Sequence, residues 1–492
     1  MLALLWWGAW WLVCQLGPGD PTHHFYYNRL AARLTVPGTL AIAGLAALAG
    51  LWPRPIPWWA VVLLGFAPYA WVPQGMPDSA LYAEYALWGA DLGPWDMLQV
   101  WGERVWAAPD ALRHTHLPGV PWVAAQVMSL GLPWRLTLAL WAVVLVLATR
   151  ALGGPWSALL LLSVPVLWAG SGWLLVDLPT AAVVTVGLVG LMHGRLWPCL
   201  LAIPMKISAG LFLLGPVIVC LLRPWQSRRR ALVVVVLGLV CLGVLFGAVG
   251  HRFRPLDTYG AALRSLVLQG TPWLWVGAVL GLLRSGDTRR RWILAASAAG
   301  LLAVLRYSPA DHVVRYALPA IPVLAACASR VMAGPAAMTA ALFGLGLGLV
   351  AYRPLVVHHT SANLAQALQA LPAETRVVDV WVDYGAAAVP PQFLVPLVAL
   401  ETRARVQYRG DVPDSGKPSP RQGRRWWDHP LASRFDPHES ADHVLVMSRG
   451  LPAKPPGVGT LVGVFDHYSG SSFAYPTSVA LYEGVAPGGS ER

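Results

Sequence analysis

The sequence predicts a polytopic α-helical membrane protein of about 11–13 transmembrane helices with a small C-terminal α/β domain. Three observations predict it. Only 12% of the 492 residues are charged and 56% are apolar, against about 25% charged in soluble domains. Apolar runs long enough to cross about 30 Å of hydrocarbon recur along most of the chain. After residue 352 the character changes to polar, Pro-rich stretches such as GDVPDSGKPSPRQGRRWWDHP, separated by short apolar segments.

Taken in order, apolar runs lie near 1–16, 36–52, 57–73, 117–133, 136–149, 155–172, 178–193, 197–222, 231–249, 266–283, 292–306, 313–330 and 333–352. Residues 1–16 lack a basic leader and a small-residue cleavage site, so they read as a retained first span. Residues 1–56 form extra N-terminal helices, 57–352 the main transmembrane domain, and 353–492 the soluble domain. Within the second of these, 78–116 is too polar to span and too apolar to float, so it lies along the membrane surface. In the C-terminal domain TRVVDVWV, DHVLVMS, TLVGVFDHY and SVALYEGV read as strands.

The net charge of +12 is carried in tight loops such as QSRRR and RSGDTRRRW. That is the pattern that holds basic loops in the cytoplasm. The aromatics lie in apolar runs and not among the basic clusters, which argues against a nucleic-acid surface. Counting crossings from these loops puts Arg315 and the C-terminal domain outside. Run 197–222, interrupted by Pro204, Lys206 and Pro216, reads as a broken pair of short helices. Three runs separate Asp78 from Asp177. Three full crossings would put the two aspartates on opposite faces, so one of 136–149 and 155–172 is expected to be re-entrant. The five cysteines, Cys14, Cys199, Cys220, Cys241 and Cys327, all lie in apolar runs and form no disulfide framework or zinc motif. There is no phosphate-binding loop for ATP, no nucleophile elbow and no zinc-protease motif.

Charges in or beside membrane runs demand a reason, because one at mid-bilayer costs about 2.5–3.5 kcal/mol. Asp78, in MPDSALYAEYALW, reads either as a helix N-cap or as a catalytic carboxylate. Tyr82 returns to its face at i+4, whereas Glu84 points away. Asp177 precedes Leu-Pro and suits a first helical turn. Lys206 sits among apolar residues and reads as snorkelling or as paired with a carboxylate or phosphate. Arg315 suits an interface anchor or a bidentate grip on an anion. His114 and His116 stand just before a span, solvated or assisting a metal.

Set in order, these residues resemble the GT-C superfamily of membrane glycosyltransferases. They look closest to its protein O-mannosyltransferase and lipid A aminoarabinose transferase branch. PDSALYAEYAL is similar to the acidic motif of that branch's first outer loop. HTHLPGVPW, DLPTAAV, PMKISAGLFLLGP and RYALPAIPVL match its later motifs over about residues 57–330. Ser79 replaces a second acid, and His-Leu-Pro replaces Lys-Pro-Pro.

The resemblance implies a GT-C-like fold in the cell inner membrane and transfer of a sugar from a polyprenyl-phosphate donor. The acceptor is a hydroxyl on lipid, glycan or protein at the extracytoplasmic face, and the anomeric configuration inverts. It implies Asp78 as general base, and Lys206 and Arg315 as donor-phosphate ligands. Asp177, His114, His116 and Tyr82 are supporting residues, and Asp78 with Asp177 are candidate ligands for a divalent metal ion. The competing readings are a lipid-linked sugar transporter or flippase, and a non-catalytic partner in an envelope assembly.

Overall fold

A computed structural model describes residues 77–107, 118–164, 167, 176–202, 204–230, 232–233, 236, 272–307, 316–351, 362–382, 391–409, 429–434, 439–448, 458–465 and 478–484. The expected spans 1–16, 36–52 and 57–73, most of 231–249, and His114, His116 and Arg315 lie outside the described residues.

The polar segment after the third run folds as two helices, α1 (Pro77–Asp91) and α2 (Pro94–Ala107). Each begins on a proline, whose fixed φ and missing N–H suit a first turn. Gly93 links them at φ +108°, a conformation that costs glycine nothing. Tyr85 and Trp88 of α1 close on Met97 and Val100 of α2 in a small apolar cluster. Helix α3 (Gly119–Ser129) packs on α1.

Helix α4 (Leu136–Gly153) has 18 residues and a mean hydropathy of 2.0. Among the described residues it is the one helix long and apolar enough to cross a membrane by length and composition. The bundle also holds shorter apolar helices: α5 (Pro155–Leu160), α6 (Asp177–Met192), α7 (Gly210–Leu222), α8 (Pro272–Leu283), α10 (Ile321–Ala328) and α11 (Pro335–Ala351). Helix α9 (Thr288–Tyr307) opens with three arginines. Helix α5 runs into a 3-10 turn, Leu161–Ser163, and stops at Val164, which is extended.

The basic turn between α8 and α9 marks one end of this bundle. Arg289 Nη2 donates to the Leu191 carbonyl at 2.8 Å, and Arg290 donates to the Leu152 carbonyl. Ser329 Oγ donates to the Gly153 carbonyl at 3.0 Å. Cations on these last-turn carbonyls satisfy acceptors left without an intrahelical donor and complement the helix dipole. The C-terminal ends of α4 and α6 therefore meet the same arginine cluster. These two helices pack together and run the same way, so Arg135 and Asp177, at their starts, share the opposite end.

Run 197–222 is broken as expected. Its first part is a 3-10 segment, Trp197–Ala202, that climbs beside α6, with Cys199 Sγ 3.8 Å from the Gly187 carbonyl. Helix α7 then returns, and Cys220 Sγ lies 3.9 Å from the Leu191 carbonyl. Arg195 and Arg223 thus both sit at the basic end, and Lys206 sits at the turn between them.

The expected re-entrant segment, in 136–149 or 155–172, falls partly on residues outside the described ones. Residues 136–153 run toward the arginine cluster, and Asp177 starts α6 at the opposite end. Helix α3 has 11 residues, about 16 Å of rise, well short of the hydrocarbon thickness. Gly119 N–H at its start donates to the Pro204 carbonyl at 2.9 Å. Its other end faces the C-terminal domain across a cavity. Both ends of α3 lie away from the basic turn. Asp78 is carried on the helix packed against it, so that helix and Asp177 occupy the same end.

The C-terminal domain is a six-stranded sheet with two helices. The elements are α12 (Ala362–Gln369), β1 (Val377–Val382), α13 (Pro391–Thr402), β2 (Arg405–Arg409), β3 (Ala432–Arg434), β4 (His443–Ser448), β5 (Leu461–Phe465) and β6 (Ser478–Glu483). Their order is β3-β2-β1-β4-β6-β5, parallel from β3 to β4 and antiparallel from β4 to β5. The four strands read from sequence are β1, β4, β5 and β6; β2 and β3 are additional. Val378, Val380, Val406 and Leu445 join the main apolar core, while Val444, Val446 and Tyr482 form a second cluster with Trp381.

Candidate functional site

The described bundle holds one ion pair shut away from solvent. Lys206 Nζ donates to Asp177 Oδ1 at 2.6 Å, and both side chains are about 95% buried, at 4% and 5% exposure. Tyr316 covers the pair, its ring centroid 4.5 Å from Lys206 Nζ. That distance is inside the range in which an ammonium is attracted by a ring face. Asp177 opens α6, where the partial positive charge of the helix start favours a carboxylate. Thr180 Oγ1 donates back to the Val176 carbonyl at 2.6 Å and ties that first turn. Pro179 fits the same turn because its N–H would be orphaned anyway.

Lys206 is placed by a break in its own segment. Pro204 ends the 3-10 climb, and Ile207–Ala209 form another 3-10 turn before α7. The Pro204 carbonyl that this break frees accepts the Gly119 N–H. Gly119 has no room for a Cβ, which would collide with that same carbonyl. The start of α3, just after the HTHLP stretch, thereby fixes the backbone two residues before Lys206.

Other predicted residues are placed less closely. Asp78 is the second residue of α1, two positions inside the cap predicted for it. Its backbone alone is described. A carboxylate there would still gain from the helix start. Tyr82 is 2% exposed and belongs to the apolar cluster that also holds Val120, Met205 and Ala317. That one cluster links α1, α3, the Lys206 turn and the segment beginning at Tyr316. His114, His116 and Arg315 lie outside the described residues.

Of the predicted metal ligands, Asp177 alone has a described side chain. The Asp177 carboxylate is engaged by an ammonium, a competing cation at a coordination distance. Among the described residues no group of three or more His, Cys, Asp or Glu side chains converges.

Sequence reasoning missed two things. Tyr316 was visible only as the partner of Arg315 in the Arg-Tyr dipeptide. The joint between the bundle and the C-terminal domain was not visible at all. Helix α13 packs on α1. Glu401, near its end, binds Arg135 Nη2 at 2.7 Å. Arg403 follows at φ 58° and pairs with Asp91, the last residue of α1. His429 wedges between them, its ring 5.0 Å from Trp88 in an edge-on contact and its Nε2 3.6 Å from Asp91 Oδ2. Its Nδ1 accepts the Leu431 N–H at 3.1 Å, which fixes the neutral tautomer with the proton on Nε2. Burial holds the His429 imidazole below its ordinary 6.5, and Asp91 opposes that shift.

No protein-family model and no curated protein matches the chain. Two solved structures are similar to it. One is ArnT from Cupriavidus metallidurans in the apo state, with a TM-score of 0.46 and 16% identity over 86% of this chain and 96% of that one. The other is the same protein bound to undecaprenyl phosphate, with a TM-score of 0.45 and 14% identity over 86% of this chain and 97% of that one.

Proposed function

We propose that this chain is an inner-membrane glycosyltransferase that moves a sugar from a polyprenyl-phosphate donor to an acceptor hydroxyl at the extracytoplasmic face, with inversion. The observation that carries the reading is the buried Asp177–Lys206 pair beneath Tyr316. A lone buried ammonium costs several kcal/mol. Asp177 offsets that cost and keeps the lysine charged before any donor arrives. A phosphate that enters beside Lys206 then meets a cation held in place, in a medium where charge interactions are strong. The ordered motifs that resemble GT-C enzymes support the same assignment.

In this mechanism the acceptor oxygen bonds to the anomeric carbon as the bond from that carbon to the phosphate oxygen breaks. Asp78 takes the acceptor proton, and the polyprenyl phosphate leaves with its electron pair. Lys206 and Arg315 stabilise the charge that grows on the leaving phosphate. Asp177 positions Lys206, and Tyr316 restricts it from the other side. His114 and His116 assist donor binding, and Tyr82 supports the Asp78 face of α1.

The test is a transfer assay on purified protein with a panel of polyprenyl-phosphate sugars. Wild type is expected to turn over at least one donor. Asp78→Asn is expected to keep donor binding and lose about 10²–10⁴-fold in rate, the usual contribution of a general base. Donor binding without turnover of any donor by wild-type protein would overturn the reading in favour of a transporter.

A further inference from the structure

A cavity of about 580 Å³ lies between the corner joining α3 to α4 and the ends of α12 and α13. Its size falls in the range of small-molecule sites, which favour domain boundaries. Trp134 and Arg135 line it from the bundle side; Gln369, Leu400, Glu401 and Arg403 line it from the C-terminal domain. Neither part has the site alone.

The chemistry of this lining is selective. Arg135 and Glu401 form an ion pair at 2.7 Å, and Arg403 is paired with Asp91. The charges therefore cancel, and the wall is not a trap for a free anion. What remains is a set of fixed donors and acceptors. A guanidinium has five N–H groups and a carboxylate about four lone-pair sites, more than their mutual bond uses. Gln369, which is exposed, adds a donor and an acceptor. Trp134 is buried and carries the Arg135 guanidinium 5.9 Å from its ring, which holds that fork in place. Burial pushes the Glu401 carboxyl up, and Arg135 opposes the shift. Neutral groups that donate and accept at once, set on an apolar ring frame, match this wall. Those are the hydroxyls of a saccharide.

We infer that this cavity is a remote subsite for a neutral saccharide unit of the acceptor, shared between the bundle and the C-terminal domain. The acceptor role rests on the glycosyltransferase reading; binding of the saccharide does not. Asp91, which pairs with Arg403 at the cavity wall, ends the helix whose second residue is Asp78. Asp91 lies thirteen positions along α1 from Asp78, about 20 Å of rise. A single sugar cannot occupy both places. The acceptor is thus an oligosaccharide or a glycolipid head long enough to reach, and its remote contacts supply binding energy away from the reacting bond.

The test is saturation-transfer NMR on the full chain in nanodiscs. The probes are neutral gluco-, manno-, galacto- and arabino-oligosaccharides of one to six units. At least one series is expected to bind, more tightly with length, and Gln369→Ala is expected to weaken it about tenfold. Gln369 is exposed, so this variant leaves the packing intact; Glu401→Gln, nearly the same shape, is expected to weaken it further. Absence of binding across the panel, or unchanged binding in Gln369→Ala, overturns the inference. Donor turnover measured on the same preparations reports separately. Its absence removes the glycosyltransferase reading and leaves the saccharide site standing.

Discussion

At the scale of single residues, the energetics of Asp177 and Lys206 follow from their burial. Removing one member of a buried pair leaves an uncompensated charge and costs about 3–5 kcal/mol, whereas replacing both with apolar groups is often close to neutral. Asp177→Asn and Lys206→Met are each expected to lower the unfolding midpoint sharply. The double change to Leu and Met is expected to cost less than the sum of the two. A double-mutant cycle by thermal unfolding in detergent measures this, and additive losses would dissolve the pair. The pair was legible in the sequence because a lone charge in an apolar run has to be explained. Tyr316 was not legible, since a tyrosine near the edge of an apolar run is ordinary and its ring position depends on the fold. His429 carries a second prediction. Its neutral tautomer uses Nδ1 to accept the Leu431 N–H, so a proton on Nδ1 opposes docking. The docked pKa lies below the free value of 6.5. The undocked state therefore binds more protons, and docking strength is complete above pH 6.5 and falls as pH drops below it. Asp91 and Arg403, the charged neighbours of the ring, pull in opposite directions on its pKa. Limited proteolysis at pH 7.5 and pH 5.5 reads out docking. Greater cleavage is expected at the lower pH, and His429→Gln is expected to flatten the difference.

At the scale of elements, the meeting of α3 with the Lys206 turn is the contact most exposed to a small change. Gly119 N–H holds the Pro204 carbonyl, and a Cβ at residue 119 would collide with that carbonyl. Gly119→Ala is expected to cost about 1–3 kcal/mol, the usual penalty for overpacking, and to lower transfer more than donor-independent folding yield. Thermal midpoint and turnover measured together check it; a variant of normal stability and rate would show that the turn adapts. The length of α3 was not legible in the sequence, for a physical reason. GVPWVAAQVMS is apolar almost throughout, and periodicity cannot separate a short surface helix from part of a span. The strands split the same way. VVDVWV and HVLVMS carry runs of β-branched residues, whereas RVQYR places Gln407 and two arginines in a five-residue strand. Strand β3 has three residues, too few for any pattern to register.

At the scale of the molecule, the joint had no local trace in the chain. Arg135 and Glu401 are 266 residues apart, and Asp91 and Arg403 are 312 apart. Only the assembled fold brings them together, yet that joint fixes which end of the bundle bears the C-terminal domain. Ser129, at the end of α3, and Gln369, at the end of α12, lie on the side of the joint. His193, at the end of α6, and Gly286, in the arginine turn, lie at the opposite end. All four positions are exposed. The positive-inside pattern predicts the basic loops in the cytoplasm, so the two ends are predicted to differ in access. In a cysteine-free background, Ser129→Cys and Gln369→Cys are expected to react with a membrane-impermeant thiol reagent added to cells whose inner membrane is sealed and accessible. His193→Cys and Gly286→Cys are expected to react only after that membrane is opened. Labelling of Ser129→Cys together with the arginine-end pair would make α3 a true span and separate Asp78 from Asp177. That single result would dismantle the shared site, because a base and a phosphate ligand on opposite faces of a bilayer cannot act on one donor.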